Sequence, residues 1–263
     1  MLSYASTSGS YYNASLDEST VAGFERRGGE FFVNPEAGMR AIVFVNETLG
    51  RVIVAFRGTD LGQSEPSHSC DSCADMVLWD GIDYHELPQF CTERFNETQL
   101  DYLSGAVALF RRVAQAFPTA EIMLTGHSLG AGLAALVAAL AQSEGNRAEF
   151  SDLENRGVSA VVFSSPGLSE VLRSRLNITA PLDSSKIAIL ADIYDPIFVS
   201  SVCPKFKLQG AKICAWQSTE PPACKKCFQH FPINNTVAGC EECMESRHIY
   251  AHYLHDLVPE ERP

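Results

Sequence analysis

In Gly126-His127-Ser128-Leu129-Gly130, glycines stand two positions to either side of a serine, an arrangement in which a hydroxyl can become a nucleophile. The chain must reverse sharply at such a turn, and side chains at Gly126 and Gly130 would collide with a neighbouring strand and helix. The hydroxyl is a weak nucleophile until an imidazole takes its proton, and the imidazole needs a carboxylate to fix its tautomer. The chemistry in view is attack on an ester carbonyl through an acyl-enzyme, with no metal and no organic cofactor. Three fixed positions in five recur by accident in many chains, so the flanking elements decide.

Those elements fit. Glu121-Ile122-Met123-Leu124-Thr125 predicts a strand ending just before the serine, and Leu133, Leu136, Val137 and Leu140 share one face of a helix starting just after it. The N-terminus of that helix would lie beneath Ser128 and stabilise developing negative charge. Upstream, Ala41 to Val45 and Val52 to Phe56 read as a hairpin of two apolar strands, each covered on both faces. Leu100, Leu103, Val107, Phe110, Val113 and Phe117 recur at steps of three and four, predicting one amphipathic helix from Glu97 to Phe117, with Asn96 as N-cap and Gln99 three residues on. Further strands are expected at Val158 to Phe163 and Ile187 to Ala191. Strands alternating with helices give an α/β class and a mostly parallel central sheet flanked by helices, the α/β-hydrolase arrangement. We read residues 1–263 as one domain, with a cysteine-containing insert at about 61–95 and a cysteine-rich segment at about 200–245.

In that arrangement the acid follows the serine in sequence and the histidine follows the acid. Asp192 and Asp195 both follow the strand at Ile187 to Ala191; Asp195 is preferred because Pro196 stiffens its loop, and Asp192 is the alternative. Histidines occur at 68, 85, 127, 230, 248, 252 and 255, and only the last four come after the acid. His127 is excluded as base because neighbours on an elbow point in different directions. His248, His252 and His255 lie in one segment, and the residues alone leave the choice among them open.

With 20 basic against 32 acidic residues, the net charge of −12 excludes a nucleic-acid partner and gives no electrostatic attraction to anionic membranes. Any lipid contact must be apolar. Sequons begin at Asn13, Asn46, Asn96, Asn177 and Asn234, and nine cysteines accompany them, which together point to the oxidising lumen of the secretory pathway. Met1-Leu2-Ser3-Tyr4 does not open a signal peptide, so we expect an N-terminal signal or anchor to be missing. Cys224-X-X-Cys227 and Cys240-X-X-Cys243 have zinc-ribbon-like spacing, but the lumenal setting favours disulfides that staple the loop carrying the late histidines. Cys70, Cys73 and Cys91 would fix the insert over the serine. Within that insert Met76, Val77, Leu78 and Trp79 are candidates for a lid, and core packing accounts for them equally well.

Four motifs in order carry a resemblance: Phe56-Arg57-Gly58-Thr59-Asp60, the elbow, Phe163-Ser164-Ser165-Pro166-Gly167 and Asp195-Pro196-Ile197. They resemble class 3 lipases, the family of fungal triacylglycerol lipases, over roughly residues 40 to 258. The resemblance implies that Thr59 supplies one oxyanion-hole donor through its backbone N–H and hydroxyl, and that Leu129 supplies a second through its backbone N–H. Within the family the chain is most similar to the autophagy-related vacuolar lipases. That likeness rests on the insert cysteines, on Tyr102 to Gly130 with Phe117-Pro118, and on Cys243-Met244-Glu245-Ser246-Arg247. The closing pattern His252-Tyr253-Leu254-His255-Asp256-Leu257 resembles that group's histidine segment, which implies His252 as base, with His248 and His255 as alternatives. The implied substrates are triacylglycerol or phospholipid, membranes of autophagic bodies among them. Contact with a membrane or lipid-droplet surface would be transient, and the compartment vacuolar, lysosomal or extracellular. Three rivals are an inactive lumenal binding protein of the same fold, a short-chain carboxylesterase, and a thiol oxidoreductase built on a Cys-X-X-Cys pair.

Overall fold

A computed structural model describes residues 23–27, 39–59, 66–143, 157–198 and 212–216, together with Cys224, Cys243 and His248. Seven strands form one sheet in sequential order: β1 (Glu25–Arg27), β2 (Ala41–Asn46), β3 (Arg51–Phe56), β4 (Glu121–His127), β5 (Val158–Phe163), β6 (Ile187–Asp192) and β7 (Lys212–Trp216). β1, β2 and β3 pair antiparallel, and every pairing from β3 to β7 is parallel. The helices are α1 (Pro66–Leu78), α2 (Gln89–Arg94), α3 (Glu97–Leu100), α4 (Tyr102–Ala116), α5 (Leu129–Gln142) and α6 (Ser169–Ser174). The expected hairpin and strands are all present, and the sheet is mostly parallel as expected. This is the α/β-hydrolase fold.

Sequential order combined with right-handed crossovers sends each connecting helix to the same face of the sheet. On that face Val43, Val45, Val52, Val54, Phe56, Ile122 and Leu124 join the residues of α4 and α5 in the main core. Ile42, Phe44, Ile53 and Ala55, which alternate with them, form a smaller cluster on the other face with Phe24 and Met123.

Three expectations change. The helix expected from Glu97 to Phe117 is two helices, because Asp101 leaves helical geometry (φ −81°, ψ 72°) and its side chain caps α4 by accepting from Ser104 N. The capping box at Asn96 and Gln99 forms as read, at the start of α3. α5 does not bury one face alone: every residue from Leu129 to Leu140 is buried, since the helix lies over β4 and β5 and under α4. The insert contains α1, whose inward side carries Cys70, Asp71, Cys73 and Ala74, residues that an apolar pattern does not register. Leu78 is buried, and Met76, Val77 and Trp79 pack partly buried against the main core, so the four lid candidates all have core contacts. Among the described residues, no helix is long and apolar enough to cross a membrane.

Cys73 bonds to Cys91, tying α1 to α2, and the Cys70 sulfur is buried 3.5 Å from the Tyr102 hydroxyl. Cys224 and Cys243, drawn from the two different Cys-X-X-Cys pairs, are also joined as a disulfide.

Candidate active site

The parallel register aligns the carboxyl ends of three strands. Phe56 lies beside Gly126, and His127 lies beside Phe163. Whatever follows β3, β4 and β5 must therefore meet at one edge of the sheet. Ser128 follows β4 directly and is the single residue between strand and helix. Its φ of 55° and ψ of −126° are strained for a residue with a side chain, costing about 1–3 kcal/mol. Two backbone hydrogen bonds hold it there: Ser128 N–H donates to Phe163 O at 3.1 Å, and Ser128 O accepts from Gly132 N–H at 3.1 Å. A Cβ on Gly126 would overlap the Gly130 backbone, and one on Gly130 would overlap the Phe56 carbonyl. The glycines are thus required by close approach of elbow, helix and neighbouring strand. The serine itself is partly exposed, while Gly126, His127, Leu129 and Gly130 are buried.

Past the end of β3, a Cβ on Gly58 would come within 2.8 Å of the His127 carbonyl oxygen and 3.5 Å of Ser128 Cβ. Thr59 follows immediately, so it lies beside the elbow, as does the backbone N–H of Leu129 at the start of α5. Two carboxylates of α1 reach this turn. Arg57 Nη2 donates to Asp71 Oδ2 at 2.8 Å, with both side chains almost completely buried, and the Tyr102 hydroxyl donates to Asp71 Oδ1 at 2.6 Å. The Thr59 hydroxyl donates to Asp75 Oδ2 at 2.7 Å, and Trp79 Nε1–H donates to Asp75 Oδ1 at 3.0 Å. Burial, reinforced by the charge of Asp71, raises the Asp75 carboxyl to about 7.

Asp195 lies on the other side of the elbow. It is buried in the loop after β6. Its Oδ1 accepts from Ile197 N–H at 2.9 Å, and its own N–H donates to Asp192 O at 3.0 Å. The Ser164 hydroxyl, from the end of β5, donates to Asp195 Oδ2. His248 Nδ1 lies 3.0 Å from both Asp195 carboxylate oxygens, and the imidazole is nearly buried. Donation from Nδ1–H to Asp195 leaves Nε2 as the basic nitrogen. Asp192, also buried, accepts from Tyr194 N–H at 3.0 Å and shapes the loop.

His127 packs against that histidine, with ring centroids 4.6 Å apart and planes inclined by 37°. Its burial, and secondly the charge of His248, lower it to about 3, so it stays neutral and serves as a platform for the His248 ring. The Cys243 sulfur lies 3.7 Å from Tyr194 O, which sets the Cys224–Cys243 disulfide against the Asp195 loop, five positions before His248.

The structure thus gathers Ser128, Asp195, His248, Thr59 and Leu129 at one sheet edge. His252 and His255 lie outside the described residues, as do Asn13 and Asn234. Of the other sequons, Asn96 and Asn177 are exposed, whereas the Asn46 side-chain oxygen accepts from Leu49 N–H at 2.8 Å. Sequence reasoning missed the parts of Ser164, His127, Asp71 and Asp75. The motif around Ser164 pointed to the first; nothing in the pattern pointed to the two aspartates.

Residues 83–177 match the family Lipase (class 3). Among curated proteins, one named "Putative lipase ATG15" from Eremothecium gossypii is 31% identical over 169 residues, covering 56% of this chain and 28% of its own length. Proteins of the same name from Candida glabrata and Mycosarcoma maydis are 28% and 26% identical, covering 66% and 76% of this chain. The chain spans 36% and 42% of the length of those two. Among solved structures, the Lip2 lipase of Yarrowia lipolytica is similar at 15% identity and a TM-score of 0.40, covering 76% of this chain and 68% of that one. Lipase II from Rhizopus niveus is also 15% identical, with a TM-score of 0.38, covering 74% of this chain and 66% of that one.

Proposed function

We propose that this chain, whose residues 83–177 match the class 3 lipase family, hydrolyses lipid carboxylic esters through a serine acyl-enzyme. The observation that carries the reading is the pairing of buried Asp195 with His248 Nδ1 at 3.0 Å, beside the strained serine elbow. His248 Nε2 takes the proton of Ser128 Oγ as that oxygen bonds to the ester carbonyl carbon. The carbonyl oxygen, now anionic, is held by the backbone N–H groups of Leu129 and Thr59. The tetrahedral intermediate expels the alcohol, which takes the proton from His248. A water molecule, deprotonated by the same imidazole, then attacks the acyl-enzyme and releases the fatty acid. Asp195 holds the Nδ1–H tautomer and stabilises the imidazolium. His248 takes the role that the resemblance gave to His252.

The substrates in this reading are triacylglycerol or phospholipid, met at a transient lipid surface, and the compartment is an oxidising lumen, supported by two disulfides and the sequons. The test uses Ser128→Ala together with single alanine variants at 248, 252 and 255. Ser128→Ala should lose roughly 10⁴- to 10⁶-fold in kcat and all labelling by a serine-directed phosphonate, with its circular dichroism unchanged. His248→Ala should do the same. Loss on His252→Ala with retention on His248→Ala would move the base, and unchanged hydrolysis by Ser128→Ala would end the reading. A substrate panel of triolein, phosphatidylcholine vesicles and p-nitrophenyl butyrate separates lipase from short-ester esterase.

A further inference from the structure

Asp71, Asp75 and Trp79 stand four residues apart along one side of α1 and its C-terminal end. The first two meet Arg57 and Thr59, the residues flanking the glycine that abuts the elbow. The spacing of a helix turn matches the spacing of alternate residues in extended chain, so one helix grips the turn at two points. The Arg57 grip is an ion pair. The Thr59 grip involves a hydroxyl, which has only one proton to give.

That single proton sets a choice. When Asp75 is a carboxylate, Thr59 Oγ–H must donate to it, and the lone pairs of Oγ are what the threonine offers to a substrate oxygen. When Asp75 is a carboxylic acid, its own proton bonds to Thr59 Oγ, and the threonine proton is released toward the developing oxyanion. Trp79 Nε1–H occupies Oδ1, so the acidic proton belongs on Oδ2, the oxygen facing Thr59. We propose that Asp75 is a positioning residue that turns the Thr59 hydroxyl into an oxyanion donor only when protonated, so that hydrolysis at this site is favoured in acid. This rests on Ser128 acting as the nucleophile.

The surroundings of Asp75 agree with a proton held near neutrality. Desolvation raises the carboxyl most, and the charges of Asp71 and Asp80 add to it, while the bonds from Thr59 and Trp79 oppose it, leaving it at about 7. Arg57 of the β3 turn is paired with Asp71, to which α4 adds the Tyr102 hydroxyl. α5 carries no charged residue, and Trp79 rests on it at Gly132. His127 and His248 lie across the elbow, and the former stays neutral. Glu93 and Arg94 of α2 and Glu97 of α3 are exposed. Arg175 donates to the Val77 carbonyl, two residues from Asp75 at the C-terminal end of α1.

The experiment is the pH profile of kcat and KM on a soluble short-chain ester, followed by pH-stat from about pH 5 to 9.5, for the wild type, Asp75→Asn, Thr59→Val and Trp79→Phe. The wild type should lose kcat on a basic limb near pH 7, with KM nearly constant, because a donor to the oxyanion acts in the transition state. Asn at 75 presents an N–H to Thr59 Oγ and an oxygen to Trp79, as the protonated acid does, so this variant should lose the basic limb. Thr59→Val should lose on the order of 10²-fold in kcat at acid pH, and should also lack the limb. Trp79→Phe removes a bond that favours the carboxylate, so its limb should move to higher pH. A wild type active without a basic limb, an Asp75→Asn profile identical to wild type, or an inactive but folded Asp75→Asn would each overturn the proposal. Retained hydrolysis by Ser128→Ala would instead overturn the reading beneath it.

Discussion

Ser164 shows how a residue away from the reacting atoms can govern the acid. It sits at φ 51° after β5, and its hydroxyl donates to the buried Asp195 carboxylate that also faces His248. Removing that donor leaves the carboxylate with one fewer bond, and a hydrogen bond to a buried charge is worth about 1.5–3 kcal/mol. Ser164→Ala should therefore lower stability by about 2 kcal/mol in urea unfolding and reduce kcat more than it changes KM, since Asp195 then holds imidazolium less well. An unaltered unfolding midpoint would remove Ser164 from the acid's support. Ser128 and Asp195 were legible because each adjoins a strand that hydrophobic pattern identifies. The choice among His248, His252 and His255 was not, because no periodicity runs through their segment and the Cys224–Cys243 disulfide lies against the Asp195 loop.

At the scale of elements, α1 was the least legible part of the site and has two of its carboxylates at the turn after β3. Its inward face is built from small, sulfur-bearing and acidic residues, so hydrophobic periodicity fails where a buried ion pair replaces apolar contact. β1 was missed because three residues carry too little pattern, and β7 because it lies inside the cysteine-rich segment. The buried Arg57–Asp71 pair makes a direct prediction. Asp71→Asn leaves a guanidinium without its counter-charge and should cost about 3–5 kcal/mol, read as a lowered Tm. Tyr102→Phe removes only the hydroxyl donor and should cost about 1–3 kcal/mol. Equal losses in the two variants would show that charge pairing is not what fixes α1. The Cys224–Cys243 disulfide closes a separation of 19 residues, for which chain entropy gives about 3 kcal/mol. Replacing both cysteines by serine should cost that much stability and also depress kcat, because the chain leading to His248 loses its anchor beside Asp195.

Across the whole molecule, the two shifted groups that flank the elbow act on stability with opposite sign. His127 titrates at about 3 when folded, below the unfolded imidazole near 6.5. Between those values the unfolded chain takes up a proton that the folded one refuses. The contribution of His127 is thus intact above about pH 6.5 and declines as pH falls, by up to about 1.4 kcal/mol per unit. Asp75 runs the other way, with a folded value of about 7 above the unfolded carboxyl near 3.9. Its cost is absent below about pH 4, grows as pH rises to 7 and is constant beyond. From about pH 6.5 down to 4 the two arms partly cancel, and the fold keeps stability in the acid range where Asp75 would arm the oxyanion hole. Urea unfolding at several pH values tests the cancellation. Asp75→Asn should lose stability more steeply than the wild type as pH falls from 6.5 to 4, and His127→Asn should lose it less steeply. Parallel curves for all three proteins would show that neither group links folding to protons, and that acid tolerance arises elsewhere in a chain of net charge −12.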